Sequence, residues 1–280
     1  MKVVRTGKEM PAAAAEAKRS GRCIALVPTM GALHEGHVAL IHAAREQGAL
    51  VVVSIYVNPT QFGPNEDFKH YPRDFEADCR VCERENVDVV FAPSDEEMYP
   101  GGNATTWIDE TRLAKRYEGE RRPGHFCGVC TIVAKLFNIV QPDIAVFGKK
   151  DYQQLKVIER LTRDFRYPIE IVSVPTVREP DGLAASSRNQ HLTSAERAQA
   201  TVLWKSLSVA RDLFNGGENS PHRLEAAILR TVSLAPMARL DYAAIADAET
   251  LEPVHEAHHG NVILVAAYID KTRLIDSVIL

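Results

Sequence analysis

Two imidazoles three residues apart, His34 and His37, lie in the stretch Pro28-Thr29-Met30-Gly31-Ala32-Leu33-His34-Glu35-Gly36-His37. At a helix start that spacing places both rings on one side of the first turn. Unpaired N–H groups and the positive end of the helix dipole already favour an anion there. A pair of such N–H donors suits charge developing on a phosphate oxygen. Gly31 and Gly36 lack the Cβ that would keep a phosphate from the backbone. A lone His-x-Gly-His also arises by chance as two solvated histidines. Here an apolar strand-like run at 24–27, a Pro/Gly turn and a helical pattern reaching about residue 47 surround it, and that context makes it a nucleotide-site candidate.

Other polar clusters follow other apolar runs. Run 49–57 ends in Asn58-Pro59-Thr60-Gln61-Phe62-Gly63. The amides of Asn58 and Gln61 suit hydroxyl and carboxylate recognition because each offers both donors and an acceptor. Asn58-Pro59 equally fits plain turn chemistry, whereas glutamine is not a favoured turn residue. The run ending at Phe147 leads into Gly148-Lys149-Lys150-Asp151, a second helix start with a lysine charge for phosphate and a carboxylate for ribose hydroxyls. It is no Walker A loop. Gln153 and Gln154 fall in the next turn, and one of them should face the same cavity. Residues 176–189, flanked by Pro175, carry Arg178, Glu179, Asp181, Ser186, Ser187 and Arg188 with Pro180 and Gly182, either a polar loop that closes over a nucleotide or only a linker.

The elements that must position these groups alternate. Helices are predicted over 74–86, 126–140 and 152–165, and strands over 87–92, 143–147 and 169–174. Such alternation implies an α/β fold with a parallel sheet covered by helices on both faces, and ligands at the carboxyl ends of its strands. Beyond residue 189 the pattern changes. Thr193-x-x-Glu196 is a capping box opening one long helix to about residue 214, Asn215-Gly216-Gly217 breaks it, and Pro221 starts another. Strand-like runs at 240–245, 262–269 and 272–279, the last two joined by a hairpin at Asp270-Lys271, suggest a smaller α+β domain. The predicted domains are 1–176 and 177–280, which puts Lys150 and Arg188 in different domains.

With 45% hydrophobic and 25% charged residues, the chain of 280 residues is ordinary globular protein with room for a full core. A formal net charge of −4 leaves no basic footprint for nucleic acid. No apolar run approaches the ~20 residues of a bilayer span. Charges at Lys2, Arg5, Lys8, Glu9 and Glu16 interrupt the N-terminus, so residues 12–15 read as helix and not as a cleavage site, and a cytoplasmic location is expected. Cys79-x-x-Cys82 and Cys127-x-x-Cys130 have metal-like spacing, but both pairs lie in helical patterns where i, i+3 cysteines share a face as small apolar residues. Packing is expected of them, and Cys23 reads as core.

Taken together, the Pro28 to His37 stretch, Val57-Asn58-Pro59-Thr60-Gln61-Phe62, Arg122-Pro123-Gly124-His125-Phe126, Lys150-Asp151-Tyr152-Gln153-Gln154-Leu155, Asp181-Gly182-Leu183-Ala184, Ser186-Ser187-Arg188-Asn189 and Lys271-Thr272-Arg273-Leu274-Ile275-Asp276 resemble the pantoate–β-alanine ligase (pantothenate synthetase) family of the His-x-Gly-His nucleotidylyltransferase superfamily. The resemblance spans nearly the whole chain in the family's order. It implies a Rossmann-like doubly wound N-terminal domain that binds nucleotide and pantoate, a small α+β C-terminal lid domain, and a homodimer. The implied reaction joins pantoate and β-alanine, with Mg²⁺-ATP as co-substrate, through a pantoyl adenylate, releasing pyrophosphate and AMP.

By the same resemblance Met30, Gly31, His34, Gly36 and His37 receive ATP, with His37 the proton donor. Gly148, Lys149, Lys150, Asp151, Val177, Ala185, Ser186, Ser187 and Arg188 complete the ATP site. His34, His37, Lys150 and Arg188 form the catalytic set. Gln61 and Gln154 bind pantoate, Gln61 also meeting β-alanine, and Asn58 belongs with them. Lys149, where Glu or Gln is expected, and Ala185, where Met is expected, depart from the pattern. No metal ligand is identified beyond Asp78 as a candidate. The chemistry fits the residues: an ionised carboxylate attacks the α-phosphate without a general base, so positioning and cations around pyrophosphate suffice. Two rivals are an adenylyltransferase that stops at its adenylylated product, which the two glutamines and the C-terminal domain argue against, and a nucleotide-binding regulatory protein without turnover, motivated only by Lys149 and Ala185.

Overall fold

The computed structural model describes residues 1–280 except Ser20, Asn65 and Asn103, with the backbone but not the side chains of Ala13, Ala14, Glu16, Ala17 and Lys18. Contacts divide the chain into two units. One comprises residues 1–148 and 154–174, the other residues 149–153 and 175–280. Lys150 therefore groups with Arg188 and not, as the sequence predicts, with the preceding sheet, because its short segment packs on the C-terminal strands.

In the first unit six strands, β1 (Lys2–Val4), β2 (Ile24–Thr29), β3 (Leu50–Ile55), β4 (Val89–Phe91), β5 (Ile144–Gly148) and β6 (Glu170–Val174), form one sheet. Their order is β1-β4-β3-β2-β5-β6 and every pairing is parallel. The connections include helices α1 (Met10–Arg19), α2 (Glu35–Glu46), α3 (Phe75–Arg84), α4 (Asp95–Met98), α5 (Glu118–Arg121), α6 (His125–Val140) and α7 (Tyr152–Asp164). The expected α/β sheet is there, and the strand order identifies it as doubly wound. From β2 the chain builds outward to β3 on one side and to β5 on the other. The carboxyl ends of β2 and β5 thus flank the switch point where such sheets bind ligands.

Alternate strand residues go to opposite faces. Ile24, Leu26, Leu50, Val52, Ala145 and Phe147 join one apolar layer with residues of α6 and α7. Ala25, Val27, Val51, Val53, Ile144 and Val146 join the other with residues of α2. Each fully buried branched side chain contributes ~1.5–3 kcal/mol, so continuous apolar strands are stable only with both faces covered. Cys130 lies in the first layer and Cys82 in the second. The two Cys-x-x-Cys pairs do not converge, and burial pushes both inner thiols up to about 12. The sequence pattern missed β1, because a three-residue edge strand is too short to show a period.

The C-terminal unit has helices α8 (Ser194–Ala200), α9 (Val202–Asn215) and α10 (Pro221–Val232), and an antiparallel sheet β7-β8-β9 of β7 (Ala238–Ala246), β8 (Val262–Ile269) and β9 (Thr272–Ile279). The capping box at Thr193 and Glu196 forms as expected. The single long helix predicted from residue 193 is instead two, α8 and α9. Thr201 Oγ1 donates to Ala198 O at 3.0 Å and competes for the carbonyl that a continuous ladder would offer to Val202. Leu207, Ala210, Leu224, Ile228, Ile245, Ile263 and Val265 build a core between α9, α10 and the sheet. Ile269 pairs with Thr272, so Asp270-Lys271 is a two-residue hairpin turn, as its sequence suggests.

Candidate active site

The chain leaves β2 through a turn that few residue types tolerate. Gly31 has φ +78° and Ala32 φ +51°, both in the left-handed region. A Cβ on Gly31 would meet Asp78 Oδ2 at 2.6 Å. The Asp78 carboxylate, 4% exposed, fills that space and accepts the Ala32 N–H at 3.0 Å and the Leu33 N–H at 2.8 Å. Burial raises its pKa, opposed by those two bonds. Thr29 Oγ1 donates to Ser54 O at 2.7 Å and accepts the Gly31 N–H at 3.1 Å, which ties the turn to β3. Asp78 thus holds the turn together and has both oxygens occupied by N–H groups. Among the described residues no cluster of three or more His, Cys, Asp or Glu side chains could hold a metal.

The turn delivers the chain to the start of α2, where the histidines cap the helix. His34 is the N-cap, and its Nδ1 accepts the Gly36 N–H at 3.1 Å; His37 Nδ1 in turn accepts the His34 N–H at 3.3 Å. The rings lie 4.1 Å apart. A ring nitrogen that accepts a hydrogen bond carries no proton, so in both neutral imidazoles the proton sits on Nε2. Capping therefore fixes the tautomer: each ring turns its acceptor to the backbone and keeps its donor at the far edge.

Gln61 closes the short 3-10 turn Pro59–Gln61 after β3 and is 8% exposed. Its Oε1 accepts Asn58 Nδ2 at 3.1 Å, and its Nε2 faces the thioether sulfur of Met30 at 3.3 Å. Sulfur is a weak acceptor, so this amide presents N–H donors beside the His-x-Gly-His turn. Asn58, 1% exposed, is saturated by protein: Nδ2 also donates to Gly128 O, while Oδ1 accepts Thr60 Oγ1 at 2.9 Å and Tyr99 OH at 2.8 Å. Its geometry serves Gln61. Gly148, at the end of β5, and the half-buried Gln154, in α7, belong to the same unit.

Lys149, Lys150, Asp151, Val177, Ala185, Ser186, Ser187 and Arg188 lie in the C-terminal unit. The expected loop is a small hairpin: Glu179 N donates to Leu183 O and Ala185 N to Val177 O. Arg178 holds it, bonding both oxygens of Asp276 at 2.6 and 2.9 Å and lying 3.6 Å over the Trp204 ring. Gly182, at φ +92°, is obligatory because a Cβ would sit 2.1 Å from Trp204 Cδ1. Ser186 Oγ then accepts the Arg188 N–H and starts the turn Ser187–His191. Lys150, Ala184, Ser186, Asn189 and Asp276 line one recess. Asn189 Oδ1 is buried beside it without a protein donor among the described residues, an acceptor suited to a ligand N–H or a water. Lys150 Nζ lies 3.5 Å from Asp151 Oδ1.

The sequence reading missed the turn-holding role of Asp78, the Tyr99 and Thr60 hydroxyls on Asn58, and Asn189. Its motif Arg-Pro-Gly-His carried no role, although His125 reaches Gln61.

Comparison with known proteins bears on the whole chain. The family model described as pantoate-beta-alanine ligase matches residues 2–279. The chain is 50% identical over 280 residues to pantothenate synthetase of Thermotoga neapolitana, covering 100% of both chains. It is 50% identical to that of Geobacter sulfurreducens, covering 100% of this chain and 99% of the relative. A crystal structure of pantothenate synthetase from Thermus thermophilus superposes with TM-score 0.92 at 44% identity, covering 99% of each chain. Pantoate-beta-alanine ligase from Francisella tularensis, crystallised with beta-gamma ATP and beta-alanine, gives 0.81 at 35% identity, covering 100% of this chain and 97% of that one. Among the described residues no helix is long and apolar enough to cross a membrane. With a family model that spans all but the terminal residues and half of all positions identical in full-length relatives, the chain belongs to the pantoate–β-alanine ligase family.

Proposed function

We propose that the chain makes pantothenate in two steps. A pantoate carboxylate oxygen attacks the α-phosphorus of ATP, the bond to the β-phosphate oxygen breaks, and pyrophosphate leaves. The β-alanine amine then attacks the acyl carbon of pantoyl adenylate, the bond to AMP breaks, and the amine gives up a proton as the amide forms. The observation that carries this reading is the His34–His37 pair, held by capping in the tautomer that puts each ring proton on Nε2, a donor suited to phosphate oxygens, at the sheet's switch point. The Francisella relative's complex with an ATP compound and β-alanine supports the same substrates.

The residue roles are those the family resemblance implies. Met30, Gly31, Gly36 and Gly148 give close backbone approach to ATP, and His34 and His37 donate to its phosphates, His37 at the leaving group. Gln61 and Gln154 hold pantoate, Gln61 through the Nε2–H donors that Asn58 aims. Lys150, Ser186, Ser187 and Arg188 meet the phosphates from the C-terminal unit, with Lys149, Asp151, Val177 and Ala185 around the nucleoside. Domain 177–280, together with the segment around Lys150, acts as the lid that excludes water from the mixed anhydride. Mg²⁺ arrives on ATP as part of the substrate. Asp78 does not fit as its ligand, since both oxygens already accept backbone N–H groups. The protein works as a cytoplasmic homodimer, which light scattering checks as twice the 31.0 kDa chain mass.

The test is the order of products. With ATP and pantoate alone the enzyme should release pyrophosphate, and AMP should appear only when β-alanine is added. Intersecting initial-velocity lines for ATP and β-alanine at saturating pantoate, with no pyrophosphate before β-alanine, overturn the stepwise route.

A further inference from the structure

The Arg122-Pro123-Gly124-His125 segment and the first turn of α6 that it opens reach the loop that carries Gln61 at three points. His125 Nδ1 lies 2.8 Å from Gln61 O. Gly128 O accepts Asn58 Nδ2 at 3.2 Å. Arg122 Nε and Nη2 bond the two carboxylate oxygens of Glu66 at 2.9 and 2.7 Å, a paired contact at the far end of the same loop. The approach is close enough to require a bare α-carbon, since a Cβ on Gly128 would meet Thr60 O at 2.5 Å and Gln61 Cα at 2.7 Å.

The protons in this chain of contacts have one consistent arrangement. A guanidinium only donates, so Arg122 Nη1, 3.0 Å from His125 Nε2, gives its N–H to that nitrogen. The single imidazole proton is then on Nδ1, and it goes to the Gln61 carbonyl, which can only accept. Burial and the Arg122 charge lower the His125 pKa to about 4, which keeps that neutral tautomer in place. Gln61 is therefore held twice: its backbone oxygen by His125, its side-chain oxygen by Asn58. What remains for a ligand is Nε2.

We infer that His125, oriented by Arg122 and Glu66, is a positioning residue for pantoate that acts through Gln61 and touches no substrate. The inference rests on the pantoate role proposed for Gln61. It separates this helix start from the ATP machinery: loss of His125 should weaken pantoate and leave the nucleotide alone. The atom that matters is Nδ1–H. Asparagine can place an amide N–H at that position, glutamine places one nearer Nε2, and leucine offers none.

Steady-state kinetics on the full chain provide the test. His125→Leu should raise the pantoate KM about tenfold, with the ATP KM and kcat within about threefold of wild type. His125→Asn should return the pantoate KM to within threefold, and His125→Gln should not. In a Gln61→Ala background, where the aimed amide is already gone, His125→Leu should add less than about twofold. A further tenfold rise there, or equal losses for ATP and pantoate, overturns the inference while leaving the role of Gln61 intact. Gln61→Ala with an unchanged pantoate KM overturns that role and the inference with it. If His125→Leu is recovered unfolded, the Asn and Gln variants decide: equal behaviour of the two refutes a role for the Nδ1 donor.

Discussion

In the proposed mechanism His37 has two jobs, with Nδ1 accepting the His34 N–H at the helix cap and Nε2 donating to phosphate. The capping half resembles an ordinary N-terminal cap worth ~1 kcal/mol. The far half, if it donates to a departing pyrophosphate, is worth ~10²–10³ in rate. His37→Ala should therefore slow pyrophosphate release by two or more orders of magnitude while stability falls only modestly. Single-turnover measurement with ATP and pantoate checks this, and a variant within threefold of wild type reduces the imidazole to its cap. His125 makes a contrasting case. Its folded pKa of about 4 lies below the ordinary 6.5, so the unfolded chain binds more protons between those values. Stability from this group is complete above pH 6.5 and is lost as pH falls through 4, by ~3 kcal/mol in total. The groups facing it are Arg122, Glu66, Glu118 and the Gln61 carbonyl. Urea midpoints measured across that range should fall less steeply with acid in His125→Asn.

Turns, more than helices or strands, hold the candidate site residues. The turn after β2 combines two left-handed residues with a buried carboxylate from α3, and neither part works alone. Asp78→Asn keeps the shape but brings an NH₂ against a backbone N–H. That removes one charge-assisted bond and leaves a buried donor unpaired, a cost of about 2 kcal/mol. The expected outcome is a lower thermal midpoint together with a weaker ATP KM. A variant of unchanged stability that needs more Mg²⁺ would instead assign Asp78 to the cation. The hairpin at residues 177–185 is likewise more constrained than its Gly and Pro content suggests. The part-buried Arg178–Asp276 pair, with the Asp276 carboxylate fully enclosed, ties the hairpin to β9.

On the scale of the whole chain, two units have separate cores, and the cationic groups assigned to ATP phosphates, Lys150 and Arg188, belong to the same one. In the proposed mechanism both therefore respond to ATP together. ATP should then slow amide hydrogen exchange in residues 149–151 and 184–189 together, and β-alanine alone should slow neither. Protection confined to 184–189 would mean that the loop moves alone.

How much of this was legible beforehand follows from distance along the chain. The periods of strands and helices, the capping box at Thr193, the hairpin at Asp270-Lys271 and the His-x-Gly-His turn all rest on bonds and side-chain faces within about four residues, so spacing alone reports them. The α/β class follows from the alternation of such elements, and the family from several motifs in a fixed order. Strand order, the partner of Asp78 46 residues back along the chain, the hold of His125 on a carbonyl 64 residues away and the packing of Lys150 with residues 175–280 have no such signature. A buried carboxylate or imidazole shows in the sequence only as a residue type. Which backbone group it satisfies depends on what packing brings beside it, so only the tertiary structure shows Asp78 bonded to the turn after β2 and His125 to the Gln61 carbonyl.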